Sequence, residues 1–358
     1  MWPDRRLLDL FGIEHPIVLA PMAGVMDSDL AIAVAEAGGL ASLPVAMLDE
    51  RQMVEQLEKF RAASRKPVNL NFLCHTPPVP NNAREHAWRE KLKPYYVEYG
   101  IDPAASVPSS NRTPFDAARC ALVEKLKPEV VSYHFGLPAS ALLERVKAAG
   151  CVVIASATTV EEARRLEANG CDAIIAQGFE AGGHRGMFLT DNLATQVGTF
   201  ALMPQVVDAV NVPVIAAGGI TDARGIAAAF ALGAAGVQMG TAYLFCPESK
   251  IQPPHRAALA SARDDGTALT NLQTGKPARG FINRVMRELG PMNDVAPEFP
   301  LAGGALAPLN AKALSQGSGD FLTMWAGQAA GLGRAMPARE LTLKLADEAQ
   351  SLMRKMAG

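Results

Sequence analysis

VVIASATTVEEARRLEANGCDAIIAQGFEAGGHRG, residues 152–186, holds one complete structural unit and the beginning of a site. The apolar run at 152–156 reads as a buried strand. Thr159 opens a helix as the first member of a Thr-x-x-Glu pair with Glu162, and Asn169-Gly170 ends it. A second apolar run at 173–176 returns in the same direction and delivers Gln177, the pair Gly182-Gly183 and His184 to its C-terminal rim. Glycines let backbone approach a ligand closely, and a histidine exchanges a proton near neutral pH. An α/β enzyme builds an active site in this way, although an ordinary loop with a surface histidine has the same composition. His184 follows two glycines and precedes Arg185-Gly186, a position expected to be exposed.

The same cadence extends in both directions. Apolar runs suited to strands lie at 17–20, 39–43, 68–72, 130–134, 152–156, 173–176, 214–217 and 236–239, and helical patterns closing at Gly38, Gly150 and Gly233 precede three of them. Helix, glycine, apolar strand is the signature of parallel βα units. Eight such units close most naturally into a (β/α)8 TIM barrel of the α/β class. A doubly wound open sheet would carry a glycine fingerprint after its first strand, where this chain has APMAG at 20–24. Residues 1–246 are therefore expected to form the barrel, with an insertion at about 76–114 after the third strand. An insertion there lies on the rim that carries function and is a candidate lid, or else a surface excursion with its own small helix. Residues 247–358 read as a mainly helical subdomain on the substrate side, its final helices packing back on the barrel. Within it, 296–318 carries Gly303-Gly304 and several prolines and reads as an extended crossing segment.

Composition narrows the function classes. Of 358 residues 49% are hydrophobic and 20% charged, with a net charge of −2, which describes a globular protein with no draw toward nucleic acid or an anionic membrane. No apolar run reaches membrane-spanning length. The opening MWPDRRLLDLFGIEHP lacks the apolar core of a signal peptide, and five scattered cysteines without a CxxC pair suit reduced thiols. A cytoplasmic location is expected.

Strand ends give the candidate chemistry. The loops after the seventh and eighth strands, AAGGITDARG and QMGTAYLF, contain Gly219, Gly240 and Thr241, whose backbone N–H groups suit a phosphate. Tight turns made for packing are the alternative reading. Asn71 and Gln177 carry donors and acceptors suited to a flat polar-edged ring such as a flavin, or to satisfying their own loops. Met22 can offer its backbone N–H to such a ring. His184 and His134 are the acid–base candidates, with a structural part equally open to His134. Trp88 and Trp325 read as packing anchors. There is no HExxH, GxSxG or Walker loop, His75, His134 and His184 lie on separate units, and no metal site is expected.

Six segments carry a resemblance: APMAGV (20–25), NLNFLCH (69–75), SYHFGLP (132–138), AQGFEAGGHRG (176–186), PVIAAGGI (213–220) and GVQMGTAYLFCPES (236–249). With ARGFINR (278–284) and WAGQAAGL (325–332), they resemble the nitronate monooxygenases, formerly 2-nitropropane dioxygenases, of the bacterial class I type. The resemblance implies a TIM barrel with a helical second domain, a tightly bound FMN, and oxidation of alkyl nitronates by O2 to a carbonyl compound and nitrite, with propionate 3-nitronate as the expected substrate. It places Met22, Asn71, Gln177, Gly182, Gly219, Gln238, Met239, Gly240 and Thr241 at flavin-binding positions. His184 matches the family's active-site histidine and His134 one on the substrate side. The partners implied are a small nitronate and O2, with no nucleic acid or membrane and a homodimer as the candidate assembly. An NAD(P)H-dependent FMN reductase of quinones or enoyl thioesters is the alternative on the same barrel. Where some class I members have tyrosines and a lysine, this chain has Phe299, Gly303 and Ala307, so its substrate pocket is expected to differ.

Overall fold

A computed structural model describes residues 2–358. Eight parallel strands form the central sheet: β1 (Ile17–Leu19), β2 (Ala41–Pro44), β3 (Val68–Leu73), β4 (Val130–His134), β5 (Val152–Ala157), β6 (Ala173–Gln177), β8 (Val214–Ala217) and β9 (Gly236–Met239). The sheet runs β1-β9-β8-β6-β5-β4-β3-β2. It closes where Val18 bridges Leu40, with Leu40 N donating to Ile17 O at 2.9 Å and Leu19 N to Leu40 O at 3.0 Å. This is the TIM barrel that the eight βα units imply. The strands are mainly apolar because helices cover one face and the barrel interior the other, with polar residues such as Asn71, His134, Gln177 and Gln238 toward their C-terminal ends. β2 starts at Ala41 rather than Gly39; at Gly39 a Cβ would lie 2.9 Å from Ile17 O, so this glycine serves the barrel's closing contact. Gly170 and Gly233, with φ of 93° and 92°, end their helices in the left-handed conformation that glycine alone adopts freely.

A second, antiparallel sheet sits on the C-terminal rim: β10 (Thr267–Thr270), β11 (Ala278–Phe281) and the two-residue β7 (Gly183–His184). Ala278 pairs with His184 and Arg279 with Gly183. The region after 246 is thus not only helical, and its β-structure reaches back to cover the loop after β6.

The insertion forms a helix, Asn82–Glu98, with Trp88, Leu92, Tyr95 and Tyr96 on its buried face. Its partner is a helix at Ala302–Ser315, where an extended segment is expected from the glycines and Pro308. Packing overrides propensity there: Ala302, Ala305, Leu306, Leu309 and Ala313 recur at helical spacing and are buried. Trp88 Nε1 donates to Ala302 O at 3.0 Å and Tyr96 Oη to Ala305 O at 2.6 Å. The final helix, Ala338–Met356, lies against the barrel helices Ala223–Ala231 and Ser28–Glu36. No helix among the described residues is long and apolar enough to cross a membrane.

Candidate active site

Because all eight barrel strands are parallel, Met22, Asn71, His134, Gln177, Gly219 and the 238–241 segment all emerge on one rim. The loop after β6 is folded by its own strand-end amide. Gln177 Nε2 donates to His184 O at 2.9 Å, and Gly186 N donates to Gln177 Oε1 at 2.7 Å. Gln177 therefore serves the loop, with one amide hydrogen left over for a ligand. Asn71 Nδ2 donates to Ser132 Oγ at 3.0 Å, leaving its carbonyl oxygen as the group it can present.

His134 is tied at both ring nitrogens. Nε2 lies 3.3 Å from His184 O and Nδ1 lies 2.7 Å from Ser156 Oγ. A carbonyl can only accept, so Nε2 carries the proton and Nδ1 accepts from Ser156. This ring is neutral, its pKa pushed down to about 4 chiefly by burial. Both nitrogens thus hold neighbouring groups of the loop, and the substrate contact expected of His134 from the sequence is not among the bonds it makes here.

His184 is not the exposed loop residue that its neighbours suggest. β11 and the aromatic side chains enclose it, and Arg185 beside it is fully buried. The Phe135, Phe299 and Trp325 rings stand 5.8, 5.4 and 5.5 Å from its own. Phe299 also packs edge-on to His75 at 4.8 Å. Trp325 thus walls the site, while Trp88 is the packing anchor expected of it. Gly303 sits against Gln273, where a Cβ would come within 2.6 Å of the carbonyl, so Phe299 is the member of the 299, 303, 307 set whose ring joins this cluster.

Thr274 orients His184. Its hydroxyl lies 2.9 Å from His184 Nε2 and 3.4 Å from Lys276 O. Donating to that carbonyl, it accepts from Nε2–H, which leaves Nδ1 as the unprotonated nitrogen. Burial, with the charges of Arg112 and Lys276 and the neighbouring histidines, holds the His184 pKa well below the usual histidine range. The ring is neutral at pH 7 until an anion enters.

The phosphate-type rim is built differently. Gly218 and Gly219 have φ of 106° and 72°, a turn that exposes successive backbone N–H groups. Thr241 heads the short helix Thr241–Leu244 after Gly240, and its hydroxyl accepts from Gly327 N at 2.9 Å. A Cβ on Gly182 would come within 2.6 Å of Gly327 N, so this glycine lets the 325–328 segment lie across the rim. Gln238 Oε1, at the end of β9 beside Met239, is buried without a partner.

Several working residues escaped the sequence reading. Phe135, immediately after β4, has φ of 69°, an uncommon conformation for a bulky residue, and it aims its ring between His134 and His184. Glu162 does not complete a capping box: Thr159 Oγ1 accepts from Glu162 N, but the carboxylate turns inward to Thr158, Phe188 and Leu189. His75, Arg112, Thr274 and Lys276 come from segments whose proximity only the fold reveals.

His75, His134 and His255 all have pKa values depressed to about 4, mainly by burial. The unfolded chain takes up protons at these positions below pH 6.5 while the folded chain refuses them. Stability is therefore complete above that pH and falls as pH drops toward 4, by on the order of 1–2 kcal/mol per histidine at pH 5. Thermal melts at pH 7, 6 and 5 will show Tm falling across this window, and His255→Gln, which lies outside the ring cluster, will flatten part of the fall. A flat profile contradicts the burial of these rings.

The family model described as nitronate monooxygenase matches residues 4–348. The nitronate monooxygenase of Paraburkholderia phytofirmans is 43% identical over 348 residues, covering 96% of this chain and 94% of that protein. That of Pseudomonas aeruginosa is 40% identical, covering 96% and 98%. Among solved structures, nitroalkane oxidase from Streptomyces ansochromogenes superposes with a TM-score of 0.89 at 36% identity, covering 99% of this chain and all of that one. FabK from Thermotoga maritima superposes with a TM-score of 0.76 at 28% identity, covering 100% and 99%.

Proposed function

The chain belongs to the nitronate monooxygenase family, and from that premise we propose that it binds FMN and oxidises alkyl nitronates with O2 to a carbonyl compound and nitrite. Propionate 3-nitronate is the first substrate to assay. The observation that carries this reading is the ring cluster around His184: a neutral imidazole with one free nitrogen, walled by aromatic side chains, in a field that Arg112 and Lys276 make positive. Such a site attracts a small anion and excludes water from it.

The rim residues fit FMN. Gln238 Oε1 is an orphaned acceptor that a flavin ring N–H would satisfy, and Asn71 has an oxygen to present. The turn at Gly218-Gly219 and the start of Thr241–Leu244 offer N–H groups to a phosphate without Lys or Arg. Met22, Gly182, Met239 and Gly240 complete the proposed cofactor set. When bound, FMN supplies the electron transfer that links the substrate to O2.

The chain's own part is to bind, orient and move a proton. With a nitronate, His184 takes up a proton at Nδ1 and donates it in a hydrogen bond as the anion arrives, because the negative charge raises its depressed pKa. With a neutral nitroalkane, His184 Nδ1 accepts the α-proton while Thr274 holds Nε2–H in place. Phe135, Phe299 and Trp325 fix the plane in which the substrate lies.

O2 consumption and nitrite release with propionate 3-nitronate test the proposal directly. The likeness to FabK favours one rival, a reductase drawing on NAD(P)H. Rapid anaerobic bleaching of the yellow protein by NADH, with no O2 uptake on a nitronate, would decide for it. The cofactor seat has its own test. At Gly240 a Cβ would lie 3.3 Å from Ala20 Cβ and 3.4 Å from Met22 Sδ, close but with a flexible neighbour to give way. Gly240→Val is expected to fold and to lose FMN occupancy by about tenfold or more, since the branched side chain blocks close backbone approach. Absorbance near 450 nm per mole of folded protein is the readout, and full retention rejects the seat.

A further inference from the structure

Arg112 stands out among the cations of the rim. Its guanidinium has neither a hydrogen bond nor an ion pair to any described residue. The chain around it is nevertheless fixed: Asn111 Nδ2 donates to Met47 O at 3.0 Å, and Phe115 N donates to Leu73 O at 2.7 Å. That last bond anchors the segment at the end of β3, two residues before His75. His75 is 94% buried, and its Nδ1 has no partner either. Its ring meets Phe299 edge-on, and Phe135 lies 6.4 Å away. Lys276 Nζ lies 5.2 Å from the centre of the Phe135 ring on the same side of the molecule, although it also keeps a 3.5 Å contact with the exposed Asp191.

A half-buried guanidinium with no counter-charge and a buried imidazole nitrogen with no partner are both unfavourable unless a ligand completes them. Arg112 lies close enough for its charge to oppose protonation of both His75 and His184. Its charge therefore stands beside the reacting position. The helix Ala302–Ser315 puts no cation there: Gly303 and Ala307 stand on its first turns, and Lys312 lies in its last turn, exposed.

We propose that Arg112 and His75, from the insertion and the end of β3, form a second anion pocket that recognises a non-reacting carboxylate on the substrate. This rests on the nitronate reading of the site and adds a selectivity to it: the preferred substrate carries two negative charges, one reacting beside His184 and one held by the Arg112 fork. Arg suits a carboxylate through two parallel N–H···O bonds, and the neutral His75 ring donates a third from Nδ1–H.

The test compares propionate 3-nitronate with ethyl nitronate, which lacks the carboxylate. In the FMN-loaded protein, Arg112→Gln is expected to lower the ratio of their kcat/KM values by about 10–100-fold, the value of hydrogen bonds to a charged group, with the change falling on KM. Arg112→Lys recovers part of the ratio, and His75→Leu lowers it in the same direction. An unchanged ratio in Arg112→Gln overturns the proposal. If the wild type oxidises neither compound, the nitronate reading fails, and equilibrium binding decides about the pocket. The dissociation constant of 3-nitropropionate, followed by tryptophan fluorescence with Trp325 5.5 Å from His184, then rises tenfold or more in Arg112→Gln while that of 1-nitropropane does not. Equal affinities in wild type and variant reject the pocket.

Discussion

His184→Asn is expected to lower kcat/KM for a neutral nitroalkane by about 10²–10⁴-fold while the protein stays folded and keeps most of its flavin. The fold does not depend on the imidazole, because β7 is held by backbone pairing with β11 and by the Gln177 amide, neither of which involves the ring. The loss arises because the α-proton no longer has an acceptor. For the preformed nitronate that proton is already gone, and the loss should be about tenfold or less. A depressed pKa makes His184 a weak base in the free protein, but Arg112 and Lys276, which help depress it, also stabilise the anion that proton removal creates. The sign of the pH effect follows. Activity on a nitroalkane requires the neutral ring, so it persists below pH 6.5 and falls only as pH passes the lowered value. Equal losses on both substrates would reject the base role and leave charge stabilisation. No loss on either would remove His184 from the chemistry.

The barrel was legible because its signals are local. Most βα units carry an apolar run, a helix and often a closing glycine within about thirty residues, and eight repetitions leave few ways to close. β1, β4, β8 and β9 lie within one residue of the runs read from sequence. The second sheet was not legible, since β7 is two residues long and its partner β11 lies more than ninety residues away. Nothing in GGHRG marks it as a strand. The helix Ala302–Ser315 was hidden by Gly303, Gly304 and Pro308, which lower helix propensity, while the Trp88 and Tyr96 side chains that bind its carbonyls sit in the insertion. His184, Gln177 and the glycine ends could be named as a site from strand ends alone. Phe299 was named through the resemblance, but Arg112, His75 and Thr274 could not be: they come from three separate segments, and a side chain's missing partner is a property of three-dimensional packing.

Glu162→Leu is expected to have the largest effect on stability, on the order of 5 kcal/mol and about 10 °C in Tm. This side chain is fully buried. Its Oε2 accepts from Thr158 N and Thr158 Oγ1, both at 2.7 Å, and its Oε1 from Phe188 N at 2.7 Å and Leu189 N at 3.2 Å. Leucine fills a similar volume but leaves three backbone N–H groups and a hydroxyl without an acceptor, and each buried orphan costs roughly 1–3 kcal/mol before relaxation. The consequence reaches the active site through a continuous chain of bonds. Thr158 Oγ1 also accepts from Gln196 Nε2 at 3.0 Å, and Gln196 Oε1 accepts from Arg185 Nε at 2.9 Å. Arg185 in turn donates to the carbonyls of Gly178 and Gln177 at 2.6 and 2.8 Å. The loop bearing His184 is thus held from both ends, by Glu162 on the 188–189 backbone and by Arg185 beneath it. Glu162→Gln keeps one acceptor oxygen but turns an N–H₂ toward two donors, so it should lose roughly half as much. Differential scanning calorimetry measures the stability loss, and kcat/KM at a temperature where each variant is folded measures the loop. If Glu162→Leu melts within 2 °C of the wild type, the carboxylate is not the anchor that its four contacts describe. If it melts early but retains full activity when folded, the loop holds its catalytic shape without this tether, and Arg185 with Gln177 is sufficient to place His184.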